Sequence, residues 1–179
     1  MFRLILRYGI IAGLIVGAPM LYVMLTATET EAHLGGMLIG YLTMLIALTA
    51  VFLGVKQYRD RIKGGVIRFL PALGVGLAIS LVASLIYVLS WEVSIAFSKF
   101  DFAASWQNHM IDAAKARGAS AAEIARVTQE AADWAAMYAK PLFRMSMTFV
   151  EIFPVGVLVS LITASVLRNP RVLPARAPT

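Results

Sequence analysis

The chain has 179 residues, 60% of them hydrophobic and 15% charged, with a mean hydropathy of +0.78. Soluble domains carry about 45–50% apolar and about 25% charged residues, so this surplus excludes an ordinary water-facing fold and calls for lipid around it. The absence of cysteine excludes disulfides, thiolate metal sites and cysteine catalysis, and the net charge of +6 gains its meaning from where the charges fall.

The first apolar run, 8–25, follows Arg3 and Arg7. Its 18 residues exceed the roughly 7–15 of a signal peptide's apolar region, and no small-residue cleavage site follows. A retained helix is expected. Gly9, Gly13 and Gly17 recur along it every fourth residue, the spacing that lets helices touch in lipid. Two readings stay open for this stripe: packing inside a bundle, or pairing with a second copy. The next segment, 26–36, has Glu29 and Glu31 but no Lys or Arg. Glu29-x-Glu31-x-His33 offers donors for a divalent cation, yet a loop gives them no fixed geometry, and no metal site is assigned.

The second run, 37–55, starts with Gly36 and Gly40 at packing spacing. After it come Lys56, Arg59, Arg61, Lys63 and Arg68, with a turn expected at Gly64-Gly65. A basic cluster between two spans is expected to meet anionic lipid head groups rather than nucleic acid. The third run, 69–97, exceeds the roughly 20 residues a bilayer requires, so it must tilt or project. Gly76, Ser80 and Ser84 form its small-residue stripe, and Tyr87, Trp91, Phe97, Phe100 and Trp106 gather at its end like an interfacial aromatic belt.

Segment 98–141 balances five basic against five acidic residues. Phe102, Trp106 and Met110 recur every fourth residue, Gly118 reads as a helix stop, and Ser120 with Glu123 reads as a capping box opening a second helix. Ile124, Val127, Ala131, Trp134 and Tyr138 share one face of that helix, and Lys140-Pro141 closes it. The pattern predicts an amphipathic hairpin whose apolar face lies on the membrane surface or on the first two spans; the alternative is that the hairpin packs on itself. His109 stands alone and is expected at the surface. The fourth run, 142–167, contains Gly156 and Ser160 for packing, and 168–179, with three prolines, is expected to be a disordered tail.

Orientation follows from the basic residues. Ten of them sit at the termini and in the second connection, opposed only by Asp60, which predicts four spans with both termini in the cytoplasm. Charges within a span are the default candidates for function. Counted from the inner ends, Glu92 and Arg144 each lie 23 residues along, about 35 Å up, and are expected to pair at the outer interface. Glu151 lies about 24 Å up, inside the hydrocarbon, on the face of Arg144 and Thr148 and three residues before the kink-prone Pro154. It reads equally as an ion or proton site and as a structural hydrogen bond across the bundle. No serine elbow, phosphate loop or pair of intramembrane aspartates is present, so neither an enzyme nor a cofactor is expected.

Several segments resemble the bacterial domain of unknown function 4199 family. They are Tyr8-Gly9 with Gly13, Gly40-Tyr41-Leu42, Gly54-Val55-Lys56-Gln57-Tyr58-Arg59-Asp60, Gly64-Gly65, the stretch from Ser84 through Trp91-Glu92, and the stretch from Met147 through Glu151, Pro154 and Gly156. Trp-Glu and Glu-x-x-Pro-x-Gly are the most specific of these, and the tail after Leu167 falls outside the likeness. The resemblance implies a small multi-span inner-membrane protein and no assigned activity. The expectation is therefore an all-α membrane protein, one four-helix transmembrane domain over 1–167 with an extracytoplasmic hairpin at 98–141. Its expected role is that of a non-enzymatic accessory, scaffold or assembly protein, with lipids and a second copy or another membrane protein as partners. The alternative is a small oligomeric transporter or channel using Glu151, with Glu92 and Arg144 at its outer mouth.

Overall fold

The computed structural model describes residues 1–26, 29–98 and 101–175, with the side chains of 29–39, 41 and 48 excepted. Among the described residues six helices follow one another: α1 Phe2–Thr26, α2 Glu29–Ile62, α3 Phe69–Phe97, α4 Phe102–Ala116, α5 Ala121–Tyr138 and α6 Pro141–Leu167. Among the described residues, α1, α3 and α6 are long and apolar enough to cross a membrane. Even the shortest of the three, α1 with 25 residues, is about 38 Å long against a hydrocarbon core of about 30 Å. The outside of the bundle is as apolar as its inside: Leu14, Leu45, Leu85 and Leu158 are all exposed. Water would not tolerate such a surface, and lipid does. The chain is a helical membrane protein.

Helix boundaries follow local chemistry. Gly64 and Gly65 both take positive φ, +66° and +92°, a region open to glycine without a Cβ clash, and they stop α2. The Asp101 carboxylate accepts from the amides of Ala103 and Ala104 and starts α4; Gly118 at φ +74° ends its turn; the Ser120 hydroxyl accepts from the amide of Glu123 and starts α5. Pro141 stands in the first turn of α6, where its missing amide costs nothing.

Packing is set by where small residues lie. α1 runs parallel to α3, with Gly9 against Val82 and Gly13 against Ile86; a Cβ on either glycine would come within 2.5–2.6 Å of its neighbour's Cβ. The glycine stripe is therefore spent inside the chain, on α3, and is not available to a second copy. α3 and α6 run antiparallel and interlock in pairs, Gly76 against Ser160 and Gly156 against Ser80. The hydroxyls are satisfied there: Ser80 Oγ lies 3.2 Å from both the Gly156 carbonyl and Ser160 Oγ, Ser160 Oγ donates to the Gly156 carbonyl, and Ser84 Oγ donates to that of Ser80. Larger residues fill two layers, one around Val51, Val55, Ile79 and Leu167 near the chain termini, the other around Ala12, Val16, Ala47 and Ile152 further up.

Several expectations are corrected. α1 begins at Phe2 and includes Arg3 and Arg7. The loop expected at 26–36 is helical from Glu29, since acidic residues in a first turn suit the helix dipole; the side chains of Glu29, Glu31, His33 and Gly36 lie outside the described residues. α2 continues to Ile62 through the basic cluster, helped by the Lys56–Asp60 pair one turn apart. Gly40, expected to pack, has no described neighbour within 4 Å of where a Cβ would stand. The apolar faces of α4 and α5 turn mainly toward each other, and α5 also meets α6; among the described residues neither packs extensively on α1 or α2, and the aromatic residues find partners at the end of α3 instead. Residues 168–175, expected to be disordered, fold back over the end of α2, for a reason given below.

Candidate functional site

At the end of the bundle away from the termini, α3 finishes and α6 begins. Arg144, in the first turns of α6, lies opposite Glu92 of α3. Its Nε donates to Glu92 Oε1 at 2.8 Å and its Nη2 to Oε2 at 2.6 Å, a two-pronged ion pair whose side chains are only 12% and 22% exposed. The remaining Nη1 donates to the Tyr138 carbonyl at 3.3 Å, and the guanidinium lies 5.8 Å from the Tyr138 ring centre. One arginine thus ties together α3, the end of α5 and the start of α6.

An aromatic cluster surrounds the pair. Trp91 Nε1 donates to the Tyr138 hydroxyl at 2.6 Å, and the edge of Phe102 meets Trp91 with centroids 5.0 Å apart at 89°. Tyr138 stacks on Trp134 at 4.6 Å, and Trp134 in turn approaches Trp106. Burial pushes the Tyr138 phenol up to about 12, the opposing pull of Trp91 and Arg144 being smaller. Tyr138 and Trp91 were legible only as members of an apolar stripe and an aromatic belt. The signal for their bond was there nonetheless, because a buried Tyr or Trp needs a partner for its polar atom.

Seven residues further along α6, Glu151 does not share the face of Thr148. Thr148, Ile152 and Gly156 point into the bundle, and Glu151 is exposed on its side; one residue is a 100° rotation, enough to carry it out of the interior. Among the described residues, Glu151 has no hydrogen-bond or ion-pair partner, and neither Glu92 nor Arg144 reaches it. Pro154 stands inside α6 as expected. Between α1, α2, α3 and α6 remains a gap of about 20 Å³ lined by residues such as Ala12, Val16, Ala83 and Ile152, the space of roughly one water molecule.

The opposite end holds a second polar group. Arg59 of α2 is fully buried, which is costly for a cation unless every donor is engaged. Its Nε donates to Asp60 at 2.7 Å, its Nη1 to the Val172 carbonyl at 2.9 Å, and its Nη2 to the Leu173 carbonyl. This need for acceptors draws residues 168–175 onto α2. An Asn169 side chain bonded to the Arg171 amide shapes the turn, and Leu173 takes a left-handed φ of 47°. Asp60 also pairs with Lys56, and although burial alone would raise its carboxyl, Arg59 and Lys56 hold it below the usual range. Of the five expected lipid-facing cations, Arg59 is therefore turned inward and cannot reach a head group, Lys56 is committed to Asp60, and Arg61, Lys63 and Arg68 remain exposed. Among the described residues, no three His, Asp or Glu side chains gather to hold a metal ion.

No curated protein and no solved structure matches the chain. A family model does, over residues 7–169, which takes in the Glu92–Arg144 pair, Arg59 with Asp60 and the interlocked helices between them, and stops short of the Val172 and Leu173 carbonyls. The chain belongs to the family described as Protein of unknown function (DUF4199).

Proposed function

We propose that this protein is a four-span protein of the bacterial inner membrane, both termini cytoplasmic, acting as a non-enzymatic scaffold or assembly partner. The fourth span is the apolar run 37–55 within α2, and α4 with α5 form an extracytoplasmic helical hairpin. The ten Lys and Arg residues at the termini and the α2–α3 turn support the orientation.

The observation that carries the role is the tight packing of the interior among the described residues. Small residues interlock, the buried hydroxyls bond within the bundle, and the central gap has room for about one water. The charged side chains engaged with one another lie at the two ends, where they fix helices in place rather than line a path. Such a body presents rigid surfaces and does no chemistry. Cysteine cross-linking from Ala119 in native membranes is expected to give one defined product that Glu151→Gln leaves intact. Cation or proton flux in liposomes that disappears in Glu151→Gln would overturn the reading.

A further inference from the structure

The end of the bundle that carries the termini presents Arg3, Arg7, Arg61, Lys63, Arg68, Arg168 and Arg171 as exposed cations. The acidic side chain described at that end, Asp60, is already engaged by Lys56 and Arg59. Two of the seven, Arg168 and Arg171, belong to the carboxy-terminal strap: Arg168 is set by the end of α6, where its amide donates to the Ala164 carbonyl, and Arg171 stands on this surface because of how the strap is held. The Arg59 fork grips the consecutive carbonyls of Val172 and Leu173, and Ala175 comes to rest beside Gly65, in the turn between Lys63 and Arg68. A buried arginine that cannot touch any ligand therefore brings the strap's Arg171 to the basic turn.

We propose that the docked strap and the α2–α3 turn form one composite surface for anionic phospholipid head groups, assembled by Arg59 as a positioning residue. The proposal rests on the reading that this end is cytoplasmic, where anionic lipid supplies the complementary charge. Uncompensated cations at the edge of a lipid-embedded bundle match the plane in which lipid phosphates lie. Each correctly placed arginine strengthens attraction to such a surface by about fivefold, so losing the placement of Arg171 weakens it by up to about fivefold, and removing both Arg168 and Arg171 weakens it by up to about thirtyfold. The attraction falls as salt rises, since exposed charges are screened over about 10 Å at 0.1 M.

The test uses the full chain in neutral detergent, titrated with phosphatidylglycerol or phosphatidylcholine and read by native mass spectrometry. Hydrogen exchange of the Val172, Leu173 and Ala175 amides reports the strap. Wild type is expected to prefer phosphatidylglycerol, and Arg59→Leu is expected to lose strap protection and to weaken that preference by up to about fivefold. Arg168→Gln with Arg171→Gln is expected to weaken the preference by up to about thirtyfold while keeping the protection, and it serves as the test should Arg59→Leu fail to assemble. Undiminished phosphatidylglycerol binding in either variant overturns the proposal. So does displacement of the lipid by an equal concentration of inorganic phosphate, which would make the surface a free-phosphate site. Labelling of a cysteine at Gly64 from outside the cell would instead remove the orientation on which the proposal stands.

Discussion

Replacing Glu92 with Gln keeps the shape of the Arg144 contact and removes its charge. Of the two charge-assisted bonds of 2.8 and 2.6 Å, one would face an NH2 group in place of its acceptor and the other would keep only a neutral amide oxygen, beside the Tyr138 carbonyl at 3.3 Å and the face of its ring. Exposed pairs are worth at most about 1 kcal/mol, and one-sided loss of a buried pair costs about 3–5 kcal/mol. With side chains 12% and 22% exposed, this pair falls between, so Glu92→Gln and Arg144→Gln should each cost about 2–3 kcal/mol. The double substitution leaves no stranded charge, and a coupling of about 1.5–2 kcal/mol is expected between the two sites. Denaturant titration in detergent micelles, followed by tryptophan fluorescence, measures all four proteins, and Trp91 next to Glu92 makes the signal local. Additive costs would mean that the pair contributes nothing as a pair. Single costs below about 0.5 kcal/mol would place it among ordinary surface contacts.

Gly13→Leu should destabilise by several kcal/mol, because even a Cβ there would lie 2.6 Å from that of Ile86; an unchanged melting temperature would detach α1 from α3. Gly40→Ala, with open space at its Cβ, should change stability by less than about 1 kcal/mol in the same melt. A cysteine at Ala119 should react with an impermeant maleimide from outside the cell while one at Gly64 should not, and the reverse pattern would invert the topology. The Tyr138 phenol, raised to about 12 from an ordinary 10.0, favours the folded state fully below pH 10 and loses that contribution as pH climbs toward 12. Melting curves between pH 9 and 12 should thus fall more gently in Tyr138→Phe than in wild type, and parallel curves would contradict the assigned burial effect.

Much of this was readable from spacing. Glycines four apart on α1, and the Gly76-Ser80 and Gly156-Ser160 steps, mark the faces that do meet, because close backbone approach leaves few residue choices. Counting residues along two antiparallel helices placed Glu92 and Arg144 at one height, and the structure brings them together. Spacing could not say which helix each stripe would meet, and it left α1 open to a second copy. It also could not tell inward from outward for Glu151, since a 100° step decides that and apolar residues flank it all round. Arg59 hid for another reason. It stands in a segment with Lys56, Arg61 and Lys63 that reads as a solvated basic cluster, and nothing local reveals that a carbonyl more than a hundred residues away will satisfy a buried guanidinium.

The glycine groove of α1 is cut for α3, not for the helix that follows it in the chain. During synthesis, α1 and α2 are both polymerised before residues 82–90 exist, so the groove of α1 emerges without its counterpart. The first two helices can be complete in sequence and still lack their final arrangement, which the arrival of α3 supplies. Assembly of this bundle is then ordered in time. A chain arrested after α2 would display an open seam, and any membrane chaperone or premature partner would find its opportunity there, in the interval before α3 closes it.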